Sequence, residues 1–389
     1  MKLIEYAKKV YHKRNVKKNN VFLDALLKDE DFKKVKNSNI ASVKVITFVV
    51  PGIYKGSGGM TSILRIGSYL ANEGYQVQYV NYTAQSEADM QRQAPACLAQ
   101  CRGTFLEKGK MNQLETDVVI ATSWVSVYYA KKIKGYKMYF IQDYEPYFEK
   151  FGEKFLLAKK TYEFGFHMIS LGQWNKKKIL HECEKVNESE IDIIEFPYSP
   201  EEYKWKERNY QTYSQRKQFK VVVYIKNEDK RLPNLIQIMW KHAVESLLEK
   251  GIQMDVLFFG MNPDDPVLVG KNLGKLDKKE LEQLYQNADF GMVASMTNIS
   301  LVPYEMIATG LPVIEFQDGS FTDFFPADTA ILVDFSYRDL VEGIMQCLQN
   351  PHKLLAMQKK AGEAISGLGW DKTCGQFLEI IKRRADRYV

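Results

Sequence analysis

The chain has 389 residues, 45% of them hydrophobic and 26% charged, with a net charge of +6. That length exceeds one ordinary hydrophobic core and predicts two domains. No apolar run reaches the ~18 residues of a membrane span, and five scattered cysteines without a CxxC pair exclude a disulfide framework or a zinc knuckle.

Residues 1–40 hold ten lysines and one arginine against five acids, a surplus equal to the whole net charge. The remaining chain is neutral overall, which excludes a nucleic-acid protein, whose basic residues would track a groove across the fold. The start is basic but has no apolar segment and cleavage site, so it does not read as a secretion signal, and a cytoplasmic protein is expected. Apolar positions at helical intervals predict two short helices within residues 2–36, split by the polar stretch 15–20. This basic arm has two readings: peripheral contact with an anionic membrane surface, or a solvated helix face. Asp29-Glu30-Asp31 is formally a DxD metal string, but in so charged a run it reads as solvated surface.

The β-branched run 43–50 predicts a strand buried on both faces of a parallel sheet. A loop with Gly56, Gly58 and Gly59, a helix ending near Gly74 and another strand follow, making a βαβ unit. The glycines let backbone approach a ligand, and the helix start offers N–H groups to a phosphate. No acid ends the second strand, where Asn81 and Tyr82 stand, and this disfavours a nicotinamide nucleotide. Residues 85–116 are polar and amphipathic without a clear assignment. Strands follow at 117–121 and 137–142, the second ending in Asp143-Tyr144-Glu145-Pro146-Tyr147-Phe148. Carboxylates and rings at a strand end suit sugar hydroxyls and apolar sugar faces; a cap and core aromatics are the plainer reading.

Strands at 167–171 and 191–196 close the first half, and 201–218 reads as the connection between domains. The second half repeats the pattern. A strand at 220–225, a helix at 235–249, a strand at 254–260, a turn at 273–276 and a helix opened by the Asp277/Glu280 capping box succeed one another. Strands at 290–294 and 329–333, a helix at 337–349 and a last helix at 371–388 complete it. The fold class expected is α/β, with two doubly wound Rossmann-like domains facing a cleft and an N-terminal helical extension. The boundaries are 1–40 for the basic extension, 41–205 and 206–370 for the two domains, and 371–389 for a C-terminal helix that packs back on the first domain. His12, His167, His181, His242 and His352 make no H-x-x-x-H pair and no cluster with acids, so no metal hydrolase is indicated.

The run SMTNISLVPYEMIATGLPVI, residues 295–314, resembles the signature of retaining glycosyltransferases of family 4, which have the GT-B fold. Glu305, Ala308, Gly310, Pro312 and Val313 fall on signature positions. The first acid of the family's E-x7-E is replaced by Thr297, and Ser300 stands in place of a glycine. YFIQDYEP (139–146), TYEFGFHMIS (161–170) and YIKNEDKRLPN (224–234) are similar to bacterial rhamnosyltransferases that use dTDP-L-rhamnose to build surface glycans. The resemblance implies a cytoplasmic enzyme, at most peripheral at the membrane, moving L-rhamnose from dTDP-L-rhamnose to a glycan or lipid-linked glycan acceptor. The second domain would hold the nucleotide-sugar, and neither metal nor cofactor is expected. It implies that Lys226 and Arg231 stabilise the leaving diphosphate, with Lys230 a competing candidate. Glu305 would take the ribose hydroxyls, Gly274 and Lys275 the base, and Gly58, Gly59, Ser300 and Leu301 the phosphates through backbone N–H groups. Thr297 would face the transferred sugar, and Asp143 would orient the acceptor or face the anomeric centre. Two other readings stand: the same fold with a UDP- or GDP-sugar, and a GT-B-shaped binding or scaffold subunit without catalysis.

Overall fold

The structure, a computed structural model, describes residues 2–56, 58–199 and 201–385. Two parallel sheets carry the chain. The first has seven strands, β1 (Val45–Val50), β2 (Gln76–Asn81), β3 (Thr104–Leu106), β4 (Val118–Ala121), β5 (Tyr136–Ile141), β6 (His167–Leu171) and β7 (Ile191–Ile194), in the order β3-β2-β1-β4-β5-β6-β7. The second has β8 (Gln218–Tyr224), β9 (Gln253–Phe259), β10 (Lys271–Asn272), β11 (Phe290–Met292), β12 (Val313–Phe316) and β13 (Ile331–Val333), ordered β10-β9-β8-β11-β12-β13. Every pairing in both sheets is parallel.

This follows from the sequence pattern. Strands covered on both faces must be apolar throughout, and VITFVV in β1 and YKMYFI in β5 are buried along almost their whole length. Each sheet reverses its strand order once, between β1 and β4 and between β8 and β11. At such a switch point the loops leaving the C-terminal strand ends diverge and open a crevice. Residues 51–56 and 122–123 therefore line the first crevice, and residues 225–232 and 293–300 the second.

Helices bury their apolar faces on the sheets. The helix Gly58–Asn72 lies so close that a Cβ on Gly67 would stand 2.1 Å from the Tyr79 hydroxyl. Tyr79 is fully buried, with its ring stacked on Phe48 and Phe105. The terminal helix Trp370–Ala385 crosses back to the first sheet, where Phe377 packs 5.4 Å from Phe140 and Arg384 pairs with Asp192 of β7 at 3.0 Å. One apolar core runs through both halves: Phe196 stacks on Tyr304 at 5.5 Å and meets Phe324 at 5.4 Å.

Several boundaries differ from expectation. The arm forms one helix, Lys2–Leu27, rather than two, because its asparagines cost only a few tenths of a kcal/mol each while Leu26 is buried and Phe22 packs edge-on against Trp124. Asp29-Glu30-Asp31 is not merely solvated: Lys131 pairs with Glu30, whose side chain is nearly inaccessible, and with Asp31 at 3.0 Å, fastening the arm to the first domain. The unassigned stretch 85–116 holds the helix Glu87–Cys97, capped by Ser86, and strand β3. The helix Pro351–Ile365, which begins with its proline in the first turn, was not anticipated.

Replacing Gly67 by alanine drives a methyl group into a tyrosine that stacking holds on both faces. Gly67→Ala is expected to lower the unfolding free energy by about 1–3 kcal/mol, measured by urea titration; an unchanged midpoint would mean that helix and sheet separate freely here.

Candidate active site between the two sheets

The second crevice is built from two loops. After β8 the chain passes Lys226 and a single turn, Asp229–Arg231, to Leu232, which has the positive φ of 48° directly before the helix Pro233–Glu249. A non-glycine residue in that conformation stores strain, and the surrounding contacts hold it in place. Arg231 is buried, donates from Nη1 to the Ala294 carbonyl at 2.9 Å, and keeps a buried Nε without a partner. Its guanidinium also lies 5.7 Å from the Tyr224 ring centre, and the Lys226 ammonium 5.9 Å from the same ring. Among the described residues no carboxylate pairs with Lys226. A buried guanidinium with an unsatisfied donor, sharing a ring with a second cation, makes this loop locally positive.

The loop after β11 runs from Val293 to Ser300 and enters the helix Leu301–Ala308. Ser300 is the N-cap but makes no side-chain cap bond, and its buried Oγ has no partner. The N–H groups of Leu301 and Val302 have no acceptor within the helix. Pro303, which has no N–H, is tolerated in this first turn. Gly310 ends the motif at φ 74°, where a Cβ would meet the Lys206 carbonyl at 2.9 Å, so glycine is required there.

Asp143, at the end of β5, joins the domains. Its Oδ2 accepts from Lys230 Nζ at 3.0 Å and from the Thr297 hydroxyl at 2.8 Å; its Oδ1 accepts from the Asn298 N–H at 3.0 Å and the Tyr144 N–H at 2.8 Å. With four donors the carboxylate is saturated. In this conformation it holds the second domain's loops rather than standing open as a base. Asn298 continues the seam, donating from Nδ2 to the Gln142 and Leu171 carbonyls, both at 2.8 Å. Gly59 reaches the same place, since a Cβ on it would lie 3.2 Å from the Gln142 side chain, whereas Gly58 faces open space.

The other predicted residues lie further along the second sheet. Glu305 is half-buried and accepts from the Tyr285 hydroxyl at 3.3 Å. Burial pushes its carboxyl up to about 7, against the opposing hydrogen bonds of Tyr203 and Tyr285. Gly274, at φ 73°, accepts from the Gly260 N–H at 2.8 Å, and Lys275 is exposed beside it. Thus Asp143, Lys230 and Thr297 form one cluster and Lys226 and Arg231 share the Tyr224 ring, while Tyr224 packs on Phe259, Phe259 on Tyr285, and Tyr285 bonds Glu305.

The sextet after β5 does not act as a unit. Glu145 turns inward, accepting from the Trp124 N–H at 2.6 Å and the Tyr139 hydroxyl at 3.0 Å, so it caps the helix Trp124–Ala130 instead of meeting a sugar. Tyr144 is buried beneath it, while Phe148 covers Lys230 at 3.9 Å. Sequence reasoning missed Asn298 and Gln142, whose partners lie more than a hundred residues away. It also missed Tyr203 and Tyr285, which look like ordinary core aromatics. Among the described residues no group of three or more His, Cys, Asp or Glu could hold a metal ion, and no helix is long and apolar enough to cross a membrane.

No family model matches the chain. It is 29% identical over 210 residues to the O-antigen biosynthesis protein RfbC of Myxococcus xanthus, a match covering 51% of this chain and 15% of that much longer protein. Among solved structures, HepE from Anabaena in complex with UDP-glucose superposes with a TM-score of 0.67 at 12% identity, over 87% of this chain and 99% of that one. WaaG, a glycosyltransferase involved in lipopolysaccharide biosynthesis, gives 0.60 at 13% over 86% and 99%. Sucrose-phosphate synthase from Thermosynechococcus elongatus gives 0.63 at 13% over 87% and 98%. The fold is GT-B, two Rossmann-like domains across a cleft.

Acids shifted by burial, Glu305 among them, shape the response to pH, and two carry the largest shifts. Burial raises Glu145 and Glu315 to about 8, although hydrogen bonds from Trp124 and Tyr139 to the first, and from Ser295 to the second, pull the other way. Below the ordinary glutamate range, near 4.5, both are protonated in the folded and unfolded chain alike. Between that range and about 8 the folded chain keeps protons that the unfolded chain has lost, so stability falls as pH rises. Melting temperature is expected to drop from pH 5 to pH 8, and the double variant Glu145→Gln/Glu315→Gln to flatten the drop. A wild-type curve that rises over this range would contradict the burial of neutral acids.

Proposed function

We propose that the chain is a glycosyltransferase that takes a nucleoside-diphosphate sugar in the second crevice and hands the sugar to a surface-glycan acceptor held by the first domain. The observation that carries this is Arg231, buried with an unpartnered donor beside Lys226, at the switch point where open α/β sheets bind ligands. Breaking the bond from the anomeric carbon to the diphosphate puts charge on phosphate oxygens. Fixed cations and the N–H groups at the start of Leu301–Ala308 stabilise that charge where it develops. The apolar surroundings strengthen the effect, and neutral Glu315 leaves Arg231 uncompensated.

Most of the predicted residues of the second domain then have a task. Lys226 and Arg231 face the diphosphate, with Ser300 and Leu301 presenting backbone and Oγ to it. Lys230, held by Asp143 and covered by Phe148, supplies a further cation at the seam. Asp143 is thus a positioning residue: it fixes Lys230 and the loop at Thr297 in one closed arrangement that excludes water. Glu305 takes the ribose hydroxyls, and Gly274 with Lys275 the base. Transfer is retaining, by resemblance to family 4, and needs no dedicated general base.

The finer reading is dTDP-L-rhamnose as donor. It is supported by the segments at 139–146 and 224–234 and by the partial match to an O-antigen biosynthesis protein. A UDP-sugar is the competing donor, favoured by the shared fold of the HepE complex with UDP-glucose.

Calorimetric titration with dTDP, UDP and GDP tests both levels. dTDP is expected to bind at least about tenfold tighter than the others. Arg231→Ala should weaken every nucleoside diphosphate by about 10- to 100-fold, as loss of charge-assisted hydrogen bonds implies. Equal affinities would sink the dTDP reading alone; no binding, or binding indifferent to Arg231→Ala and Lys226→Ala, would sink the transferase site.

A further inference from the structure

The loop that leaves the candidate site carries apolar side chains outward. Phe148 covers Lys230 in the crevice, and three residues on Phe151 is 84% exposed, its ring 5.4 Å from Phe155; Leu156, on the helix Glu153–Thr161, is 53% exposed. A phenylalanine this bare on a loop tip has a burial free energy that the isolated chain leaves unused. Beside it lies the N-terminal helix, for Lys154 sits 5.5 Å over the Phe22 ring. Residues 6–23 hold six lysines and arginines and no acid. Among the described residues Lys13, Arg14, Lys17 and Lys18 have no acidic partner, whereas Asp29, Glu30 and Asp31, further on, are engaged by Lys131 and Lys132. Arg14, Lys17, Lys18, Val21 and Phe22 line a hollow of about 640 Å³, and Val21 is 63% exposed. Glu149 and Glu153 are balanced in number by Lys150 and Lys154 in the loop and the start of the following helix, so the surplus charge of these segments together is positive.

We propose that this face docks on an anionic lipid bilayer, the helix meeting headgroups through Arg14, Lys17 and Lys18 while Phe151 and Leu156 enter the acyl boundary. Charge complementarity selects the occupant. A soluble polyanion would use the cations but has no use for the bare phenylalanine and leucine, whereas a bilayer interface accepts both. The chain from Phe148 to Phe151 spans the distance from crevice to surface, so the docked face sets the mouth of the cleft against the lipid. On the transferase reading, on which this last point rests, an acceptor carried on a lipid then reaches Asp143 and Lys230 without leaving the membrane.

Flotation of the full chain with vesicles tests it in the absence of any donor. Partitioning onto phosphatidylcholine vesicles containing one-third phosphatidylglycerol is expected to exceed that onto pure phosphatidylcholine by at least about 100-fold at low salt, since each of the three cations near such a surface contributes about fivefold. It should weaken as salt is raised. Arg14→Glu/Lys17→Glu/Lys18→Glu should cut it by at least about 100-fold, and Phe151→Ser/Leu156→Ser by about tenfold. All five side chains are exposed or line an open hollow, and nucleotide titration on the same variants checks that the fold and the cleft are intact. Equal partitioning onto the two vesicle types overturns the proposal. So does an undiminished Phe151→Ser/Leu156→Ser variant, which would leave a purely electrostatic surface for a soluble polyanion or a protein. Loss of vesicle binding with nucleotide binding retained touches only this inference; vesicle binding without nucleotide binding touches only the transferase reading.

Discussion

Four hydrogen bonds converge on the Asp143 carboxylate, and two side chains and one backbone group of the second domain depend on them. Lys230, Thr297 and the Asn298 N–H all end on this one group, which projects from β5 of the first domain. A carboxylate removed from water needs donors to compensate its lost hydration, and here nearly all of them come from across the cleft. Closure of the two sheets is therefore coupled to the satisfaction of one charge. Asn298 reinforces the seam with two bonds to carbonyls at the ends of β5 and β6.

Closure in turn fixes the loop after β11, and with it the start of the helix Leu301–Ala308. Arg231 is tied to Ala294 in the same loop. The groups suited to a diphosphate thus lie on elements that the Asp143 seam holds still, as preorganised stabilisation of developing charge requires. Asp143 and Glu228 pair with Lys230, but two other acids nearby leave Arg231 and Lys226 without a carboxylate partner among the described residues. Glu315 is bonded to Ser295 and held neutral over most of the ordinary pH range, and Glu305 lies against two tyrosines. The charge of Arg231 and Lys226 is therefore open to a departing phosphate.

Much of this was legible in the chain because it depends on short-range chemistry. Continuous β-branched runs mark strands buried on both faces, the Asp277/Glu280 box caps its helix as expected, and the helix Tyr337–Gln349 begins and ends where its pattern does. The switch-point loops fall at strand ends that the sequence marks, whereas the roles of Lys226, Lys230, Arg231 and Ser300 rest on the resemblance to family 4. What remained hidden rests on contacts distant in sequence. The Asp143–Thr297 bond spans 154 residues, and nothing local distinguishes Asn298 from any other turn asparagine. Glu145 misled because a carboxylate at a strand end can face the ligand or turn back to cap a neighbouring helix, and only tertiary packing decides. The N-terminal helix misled likewise: its polar middle has weak helix propensity, and contacts through Phe22, Leu26 and Lys131 outweigh it.

The account places a donor's diphosphate against Arg231 and Lys226, at the start of the helix Leu301–Ala308. A crystal structure of the chain with an intact nucleoside-diphosphate sugar tests that placement most directly. The account predicts phosphate oxygens within hydrogen-bond distance of the Arg231 guanidinium and of the N–H groups at Leu301 and Val302, with Asp143 still bonded to Thr297 and Asn298. Density for the diphosphate at the first crevice instead, or in the second with Arg231 turned away, would contradict it.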